Sequence, residues 1–433
     1  MRETWKWTYV IVGLCLGSTS AVSQAQVGDT TGESTESAPG EVVETAEPTA
    51  EVAVTAETAP PPPPAAEPIA EVEEPAEAVD PAAEAPADPE PSFWDRMSLN
   101  VFGDAYYMVD WNRPDSATAP QDVGHRAFDS QAGFGLAFGG ADFRYAGDQF
   151  GVTLDLRFGP GASRLLGNSD PVFSVLKQAF VSWTPNETVS FDLGQFDTIY
   201  GAEVADSWKN LNYTRGALYY LMQPFYHTGL RAKVTLSDRI GITGMLVNGT
   251  NNPVNGALAP HLGLQASLAL SDATFLAIGW YGGPGSQGFG DDTDPTSNDD
   301  WEQFFDVVFT ANAGILSFVG NVDAYVSGPD SGVNDGRSVY WGASAALGIR
   351  PIEQFGVAVR GELLQDPDVY IGNTEFLGTG TLTLDYRPVP NVILRLDNRV
   401  EVADTRIFTD GDGPASSKTW FATTLGVVVS SNP

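Results

Sequence analysis

From residue 93 onward, apolar and polar residues alternate along the chain. In VTLDLRF, Val152, Leu154, Leu156 and Phe158 fall on one face and Thr153, Asp155 and Arg157 on the other. GLRAKVTL sets Leu230, Ala232, Val234 and Leu236 against Arg231, Lys233 and Thr235. NVILRLDNRVEV sets Val392, Leu394, Leu396, Val400 and Val402 against Arg395, Asp397, Arg399 and Glu401. A period of two residues defines strands with one apolar and one polar face. The pattern predicts strands at 98–111, 128–146, 149–160, 172–183, 188–197, 228–236, 239–248, 259–270, 273–282, 301–312, 314–328, 338–350, 353–366, 375–387, 391–404 and 418–429.

A soluble sheet of this size needs a second apolar layer over its greasy face. The chain offers no amphipathic helices and no second set of strands to supply one, so lipid is the expected cover. An open sheet edge would leave unpaired backbone groups in hydrocarbon, and the sheet must therefore close. The expected fold is all-β: a closed antiparallel transmembrane β-barrel of about 16 strands, with 14–18 compatible with the pattern. Short links such as Gly147-Asp148, Ser237-Asp238, Ser271-Asp272 and Arg350-Pro351-Ile352 alternate with long ones such as GGPGSQGFGDDTDPTSNDD and DTRIFTDGDGPASSK. That alternation is the mark of short periplasmic turns and long external loops. With an even strand count, both chain ends lie on the short-turn side. Aromatics near strand ends, among them Tyr106, Tyr107, Trp111, Trp183, Trp280, Tyr281, Tyr340, Trp341, Trp420 and Phe421, suit an interfacial belt.

Three domains are expected: a signal peptide at 1–25, a disordered acidic Ala/Pro/Glu-rich periplasmic tether at 26–91, and the barrel at 92–433. Arg2 and Lys6 precede the apolar run WTYVIVGLCLG, and small residues follow it up to Ala25. That order defines a secretory signal. Cys15, the single cysteine, lies inside it, so the mature chain would carry no thiol chemistry. Residues 27–90 contain no Lys or Arg and little large apolar surface, too little to offset the entropy of ordering. Residues 1–90 hold 18 acids and two bases, so nearly half of the net charge of −34 belongs to this part and says little about a binding site.

A barrel this wide cannot be filled by its own wall side chains and leaves an aqueous lumen unless something enters it. The candidate is the segment of residues 198–227, rich in aromatics and following GQFD, where a loop of such length calls for a function. The expectation is an inward loop with a constriction formed by Asp197, Glu203, Asp206, Lys209, Arg215 and His227, Gly201 letting the chain turn inward. The expected pore lining is Arg157, Arg231, Lys233, Arg360, Glu362, Arg395, Asp397, Arg399 and Glu401. Inward bases and acids nearly balance, while Asp291, Asp292, Asp294, Asp299 and Asp300 crowd one external loop, so at most a mild cation preference is expected.

The run Phe196-Asp197, Gly201-Ala202-Glu203, Asn212-Tyr213, Arg215, Pro224-Phe225, His227, Gly229 and Asn248-Gly249 resembles the putative beta-barrel porin-2 family of OmpL-like channels. The resemblance covers roughly residues 96–430 and is densest over 193–252. It implies a porin-like channel in a Gram-negative outer membrane and brings no defined substrate.

Function classes narrow accordingly. The expected function is a water-filled channel for passive diffusion of small hydrophilic solutes and ions. A structural anchor or adhesin working through the tether stands as an alternative, and an outer-membrane hydrolase as a remote one. His125, His227 and His261 are scattered, and no serine sits in a nucleophile elbow, so no catalytic residue and no enzyme is expected. DDTDPTSNDD and TDGDGP lack EF-hand spacing and read as solvated loop acids, so no metal or cofactor is expected. Expected partners are membrane lipid and lipopolysaccharide, small solutes and ions, with a homo-oligomer and a cell-wall contact through the tail left open. Nucleic acid is opposed by the acidity.

Overall fold

The computed structural model describes residues 92–114, 132–166, 173–254, 260–284, 301–326, 339–365, 374–411 and 413–431. The stretches expected to be a signal peptide (1–25) and a tether (26–91), with Cys15, and also His125 and the acidic loop at 291–300, lie outside the described residues. The strands are β1 (Met97–Asp110), β2 (Gly133–Ala146), β3 (Phe150–Phe158), β4 (Leu176–Trp183), β5 (Val189–Asp197), β6 (Tyr226–Ser237), β7 (Ile240–Val247), β8 (His261–Ser271), β9 (Thr274–Pro284), β10 (Trp301–Ala313), β11 (Leu316–Val326), β12 (Val339–Ile352), β13 (Phe355–Gln365), β14 (Phe376–Val389), β15 (Val392–Ala403), β16 (Phe408–Asp410), β17 (Gly413–Ser417) and β18 (Thr419–Ser430). Two short helices, α1 (Pro160–Leu166) and α2 (Ala217–Met222), lie in connections.

β1 to β15 and β18 close into one antiparallel barrel of neighbours in sequence order, sealed where β18 pairs with both β15 and β1. Across that seam Gly103 faces Val429 and Asp110 faces Ala422 without a slip. β16 and β17 form a separate ribbon within the last long connection, which the sequence pattern reads as plain loop. Gly411 supplies the left-handed turn at its tip, with φ +59°. Closure satisfies the backbone polar groups of the wall within the sheet, as a lipid-facing wall requires.

The two faces of the wall are reversed relative to a soluble barrel. In β13, Phe355, Val357, Val359 and Leu363 are exposed, while Arg360 and Glu362 are buried. In β14, Leu382, Leu384 and Tyr386 are exposed and Thr379, Thr381, Thr383 and Asp385 are buried. Apolar side chains thus point out to where lipid would lie, and charged ones point in.

The aromatic belt needs correction. Tyr107, Trp111, Trp183, Trp341 and Phe421 are exposed, but Tyr106, Tyr281, Tyr340 and Trp420 are buried on the inner side. The reason is the pleat: of two adjacent residues in a strand, one faces in whenever its neighbour faces out. Pairs such as Tyr106-Tyr107, Tyr340-Trp341 and Trp420-Phe421 therefore divide between belt and lumen.

Candidate functional site

β5 ends at Asp197 and β6 begins at Tyr226, one residue earlier than His227, so the connection proper is 198–225. It opens with Gly201 at φ +84°, a left-handed conformation that a β-carbon would strain. Its backbone carries little regular structure beyond one 3-10 turn and α2, so its polar groups must find partners elsewhere. They find them around the inner wall. The Gly201 amide donates to Asp306 of β10 (3.0 Å) and that of Ala202 to Asn321 of β11 (2.7 Å). Ser207 and Tyr213 both donate to Asp104 of β1, at 2.7 and 2.6 Å. Asn212 reaches Thr383 of β14 (2.7 Å), and Thr214 donates twice to Asp397 of β15, at 2.8 and 2.9 Å. The amides of Ala217 and Leu218 donate to Glu362 of β13 at 3.0 and 3.2 Å. Partners on β1, β10, β11, β13, β14 and β15 can all be reached only from inside the barrel.

Two charged nodes pin the segment. Asp206, fully buried, accepts from Arg157 of β3 (3.0 Å), Lys177 of β4 (3.2 Å) and Lys209 (2.8 Å). Burial alone would push its carboxyl up, but the three cations outweigh that and hold it well below the usual carboxylate range. Glu203 pairs with Arg360 of β13 and accepts from the Gly216 amide at 2.6 Å. There burial prevails, aided by the neighbouring Glu362 carboxylate, and the Glu203 carboxyl is raised despite Arg360.

The remaining residues singled out from sequence fall into place around these nodes. Asp197 closes β5 and pairs with Lys177 at 2.9 Å. Arg231 and Lys233 share Asp192 at 2.8 and 3.0 Å. Arg395 pairs with Asp385 (2.7 Å) and donates to the carbonyls of Ser207 (2.6 Å) and Asn212 (3.2 Å). Arg399 pairs with Glu401 (2.6 Å) and donates to the Arg215 carbonyl (2.5 Å), while Arg215 donates to the Tyr213 carbonyl (2.7 Å). His227 sits on β6 at the base of the segment, 2.9 Å from the Gly249 carbonyl through Nδ1 and 2.9 Å from the Thr198 hydroxyl through Nε2. A carbonyl only accepts, so Nδ1 carries the proton and Nε2 accepts from Thr198.

Sequence reasoning missed the sockets that seat the segment. A β-carbon on Gly279 would lie 2.6 Å from the Tyr200 ring, and one on Gly263 the same distance from its hydroxyl. On Gly426 it would lie 2.2 Å from the Tyr213 ring, and on Gly342 2.4 Å from Leu218. These inward positions stay empty so that large side chains of the segment can lie against the wall backbone. The signal was glycine on the polar face of a strand, where its weak β propensity needs a reason.

On the short-turn side of the segment the interior opens into two cavities. One, of about 570 Å³, is lined by Arg144, Lys177, Asp197, Lys209, Arg231, Lys233 and the β6–β7 turn, among others. The other, of about 200 Å³, lies between Trp208–Leu211 and wall residues including Arg350, Arg387 and Arg395.

A closed sixteen-stranded barrel with an apolar outside, a charged inside and a segment folded into its interior defines the class of outer-membrane porins. The chain belongs to the family described as "Putative beta-barrel porin-2, OmpL-like", whose model matches residues 97–429. Among solved structures it is similar to in-vitro folded OmpT, an outer membrane protein of Vibrio cholerae in trimer form, with 11% identity, 77% of this chain and 98% of that one covered, and a TM-score of 0.51. It is similar to the outer membrane channel DcaP of Acinetobacter baumannii at 13% identity, covering 77% and 96%, TM-score 0.50. The anion-selective porin from Comamonas acidovorans matches at 10% identity, covering 77% and 99%, TM-score 0.50. At these identities the likeness is one of fold. No curated protein matches the chain.

Proposed function

We propose that the protein is a diffusion channel for small hydrophilic solutes and ions, narrowed by residues 198–225, with Glu203, Asp206, Lys209 and Arg215 at the constriction and Asp197 and His227 at its base. The observation that carries this reading is the anchoring of the segment to opposite sides of the inner wall, through Asp206 to β3 and β4 and through Glu203 to β13. A lid packed outside the barrel would have no use for such partners. Charged side chains at a narrow point set which ions and solutes pass. Of the wall charges expected as pore lining, Lys233 keeps 35% of its side-chain surface exposed and meets a passing solute, whereas Arg157, Arg231, Arg360, Glu362, Arg395, Asp397, Arg399 and Glu401 are buried and serve to hold the segment and the wall together; the short turns with the N-terminal tail then face the periplasm. The neighbours described as a channel and as a porin lend weight to a channel, and the one solved in trimer form lends weight to assembly with further copies of this chain.

Planar-bilayer recording of the refolded full chain tests the reading. Unitary steps are expected, and a variant with 199–224 replaced by a short Gly-Ser link should give larger steps. Equal step size in the two proteins would refute the constriction.

A further inference from the structure

The larger cavity differs from the lumen as a whole in the sign of what it shows to solvent. Counted along the strands, bases and acids nearly cancel, yet they do not lie at equal depth. Arg144, Lys209 and Lys233 leave 38%, 46% and 35% of their side-chain surface exposed, whereas their partners Asp155, Asp206 and Asp192 leave 3%, 0% and 4%. The acids lie against the wall and the cationic heads stand in front of them. Arg239, in the β6–β7 turn at the cavity's rim, is 61% exposed and reaches Asp272 only at 3.8 Å. Two lining carboxylates oppose this arrangement: Asp197, which Lys177 holds at 2.9 Å, and Asp238 in the turn. An ammonium has three donors; Lys209 gives one to Asp206 at 2.8 Å and Lys233 one to Asp192 at 3.0 Å. Both keep the capacity to donate to a second oxyanion.

We propose that this vestibule on the short-turn side is a binding step for small oxyanions of two or more negative charges, held between the heads of Lys209 and Lys233 in the field of Arg144 and Arg239. The site deepens the channel reading and rests on it: a solute crossing the constriction pauses here before it reaches or leaves the short-turn side. Two ammonium groups with Arg144 in the same lining match a dianion better than a single-charged ion, because each added charge pair strengthens the attraction while the confined volume stays the same.

The test uses inorganic phosphate as probe on the refolded full chain. In potassium chloride, added phosphate should reduce the unitary current in a saturable way. Measured against its own unblocked steps, whatever their size, the double variant Lys209→Gln/Lys233→Gln should need about tenfold more phosphate for half-block, the loss expected when charged hydrogen-bond donors are removed. Clear steps that phosphate does not touch, or block of equal strength in the double variant, would overturn the site and leave the channel standing. If no steps appear at all, the channel reading fails, and phosphate titration calorimetry on detergent-held wild type and double variant decides the site by itself: a tenfold weaker affinity in the variant supports it, and equal heats overturn it.

Discussion

Asp206 and Glu203 are three residues apart in one segment, and the wall treats them in opposite ways. Asp206 meets Arg157, Lys177 and Lys209, so its negative charge is overcompensated and it is held ionised. Glu203 meets one guanidinium, Arg360, which also lies 3.4 Å from Glu362. Backbone amides make up part of the deficit there: Gly216 for Glu203, and Ala217 and Leu218 for Glu362. A carboxylate among cations works as a fixed anchor, and one of two carboxylates sharing an arginine works as a group that takes up a proton readily. Proximity in sequence says nothing about which role a residue takes.

The largest effect is expected from Asp206→Asn. It leaves Arg157 and Lys177 buried with only Asp142 and Asp197 as counter-charges in place of three shared contacts, and unfolding of the refolded barrel in urea should show a loss of about 2–3 kcal/mol. Unaltered stability would show that the node adds nothing beyond geometry. Next come the sockets. Gly426→Val or Gly279→Val places new atoms where the Tyr213 or Tyr200 ring now lies, and overpacking of this kind costs about 1–3 kcal/mol. Because the ring rather than the strand should yield, step conductance should rise with it; unchanged conductance would mean the wall gives way instead.

Glu203→Gln should cost about 1 kcal/mol or less at neutral pH, since Arg360 retains Glu362. Its value lies in the pH profile. A carboxyl raised in the folded state contributes stability that is complete below its unfolded value of 4.5 and lost as the pH rises through the folded value. Asp206 has the opposite sign: its contribution is complete above 3.8 and lost as the pH falls through the depressed folded value. Urea titrations across pH should therefore show the limb above 4.5 flattened by Glu203→Gln alone, and the acid limb flattened by Asp206→Asn alone. The smallest effect is expected from Lys209→Gln. Its side chain is nearly half exposed and Asp206 keeps two buried cations, so stability should change by less than about 1 kcal/mol.

The wall was legible because each strand repeats one local rule. Every predicted strand is present, with ends displaced by a few residues at most among the described residues; the start suggested for β2, at 128, lies outside them. Where two aromatics stand side by side, the same rule should have divided the belt, and ignoring it put Tyr106, Tyr281, Tyr340 and Trp420 on the wrong face. The inner segment was legible only in outline. Its length, its aromatics and Gly201 marked it as a loop with a task, but no periodicity tells that Tyr200 lies between Gly263 and Gly279, or that Ser207 and Tyr213 converge on Asp104.

What the sequence determined by itself was therefore the barrel: a strand number near sixteen, inside and outside, and the alternation of short turns with long connections. These follow from a period of two and from turn chemistry, both of which act between near neighbours in the chain. Only the tertiary structure decided which carboxylate meets three cations and which meets one, which glycines serve as sockets, and that the exposed charge of the vestibule is positive. Those facts depend on contacts between separate elements, such as Arg157 with Asp206 and Arg360 with Glu203, 49 and 157 residues apart, and on how deeply each group lies, because depth rather than formal charge governs what a solute meets.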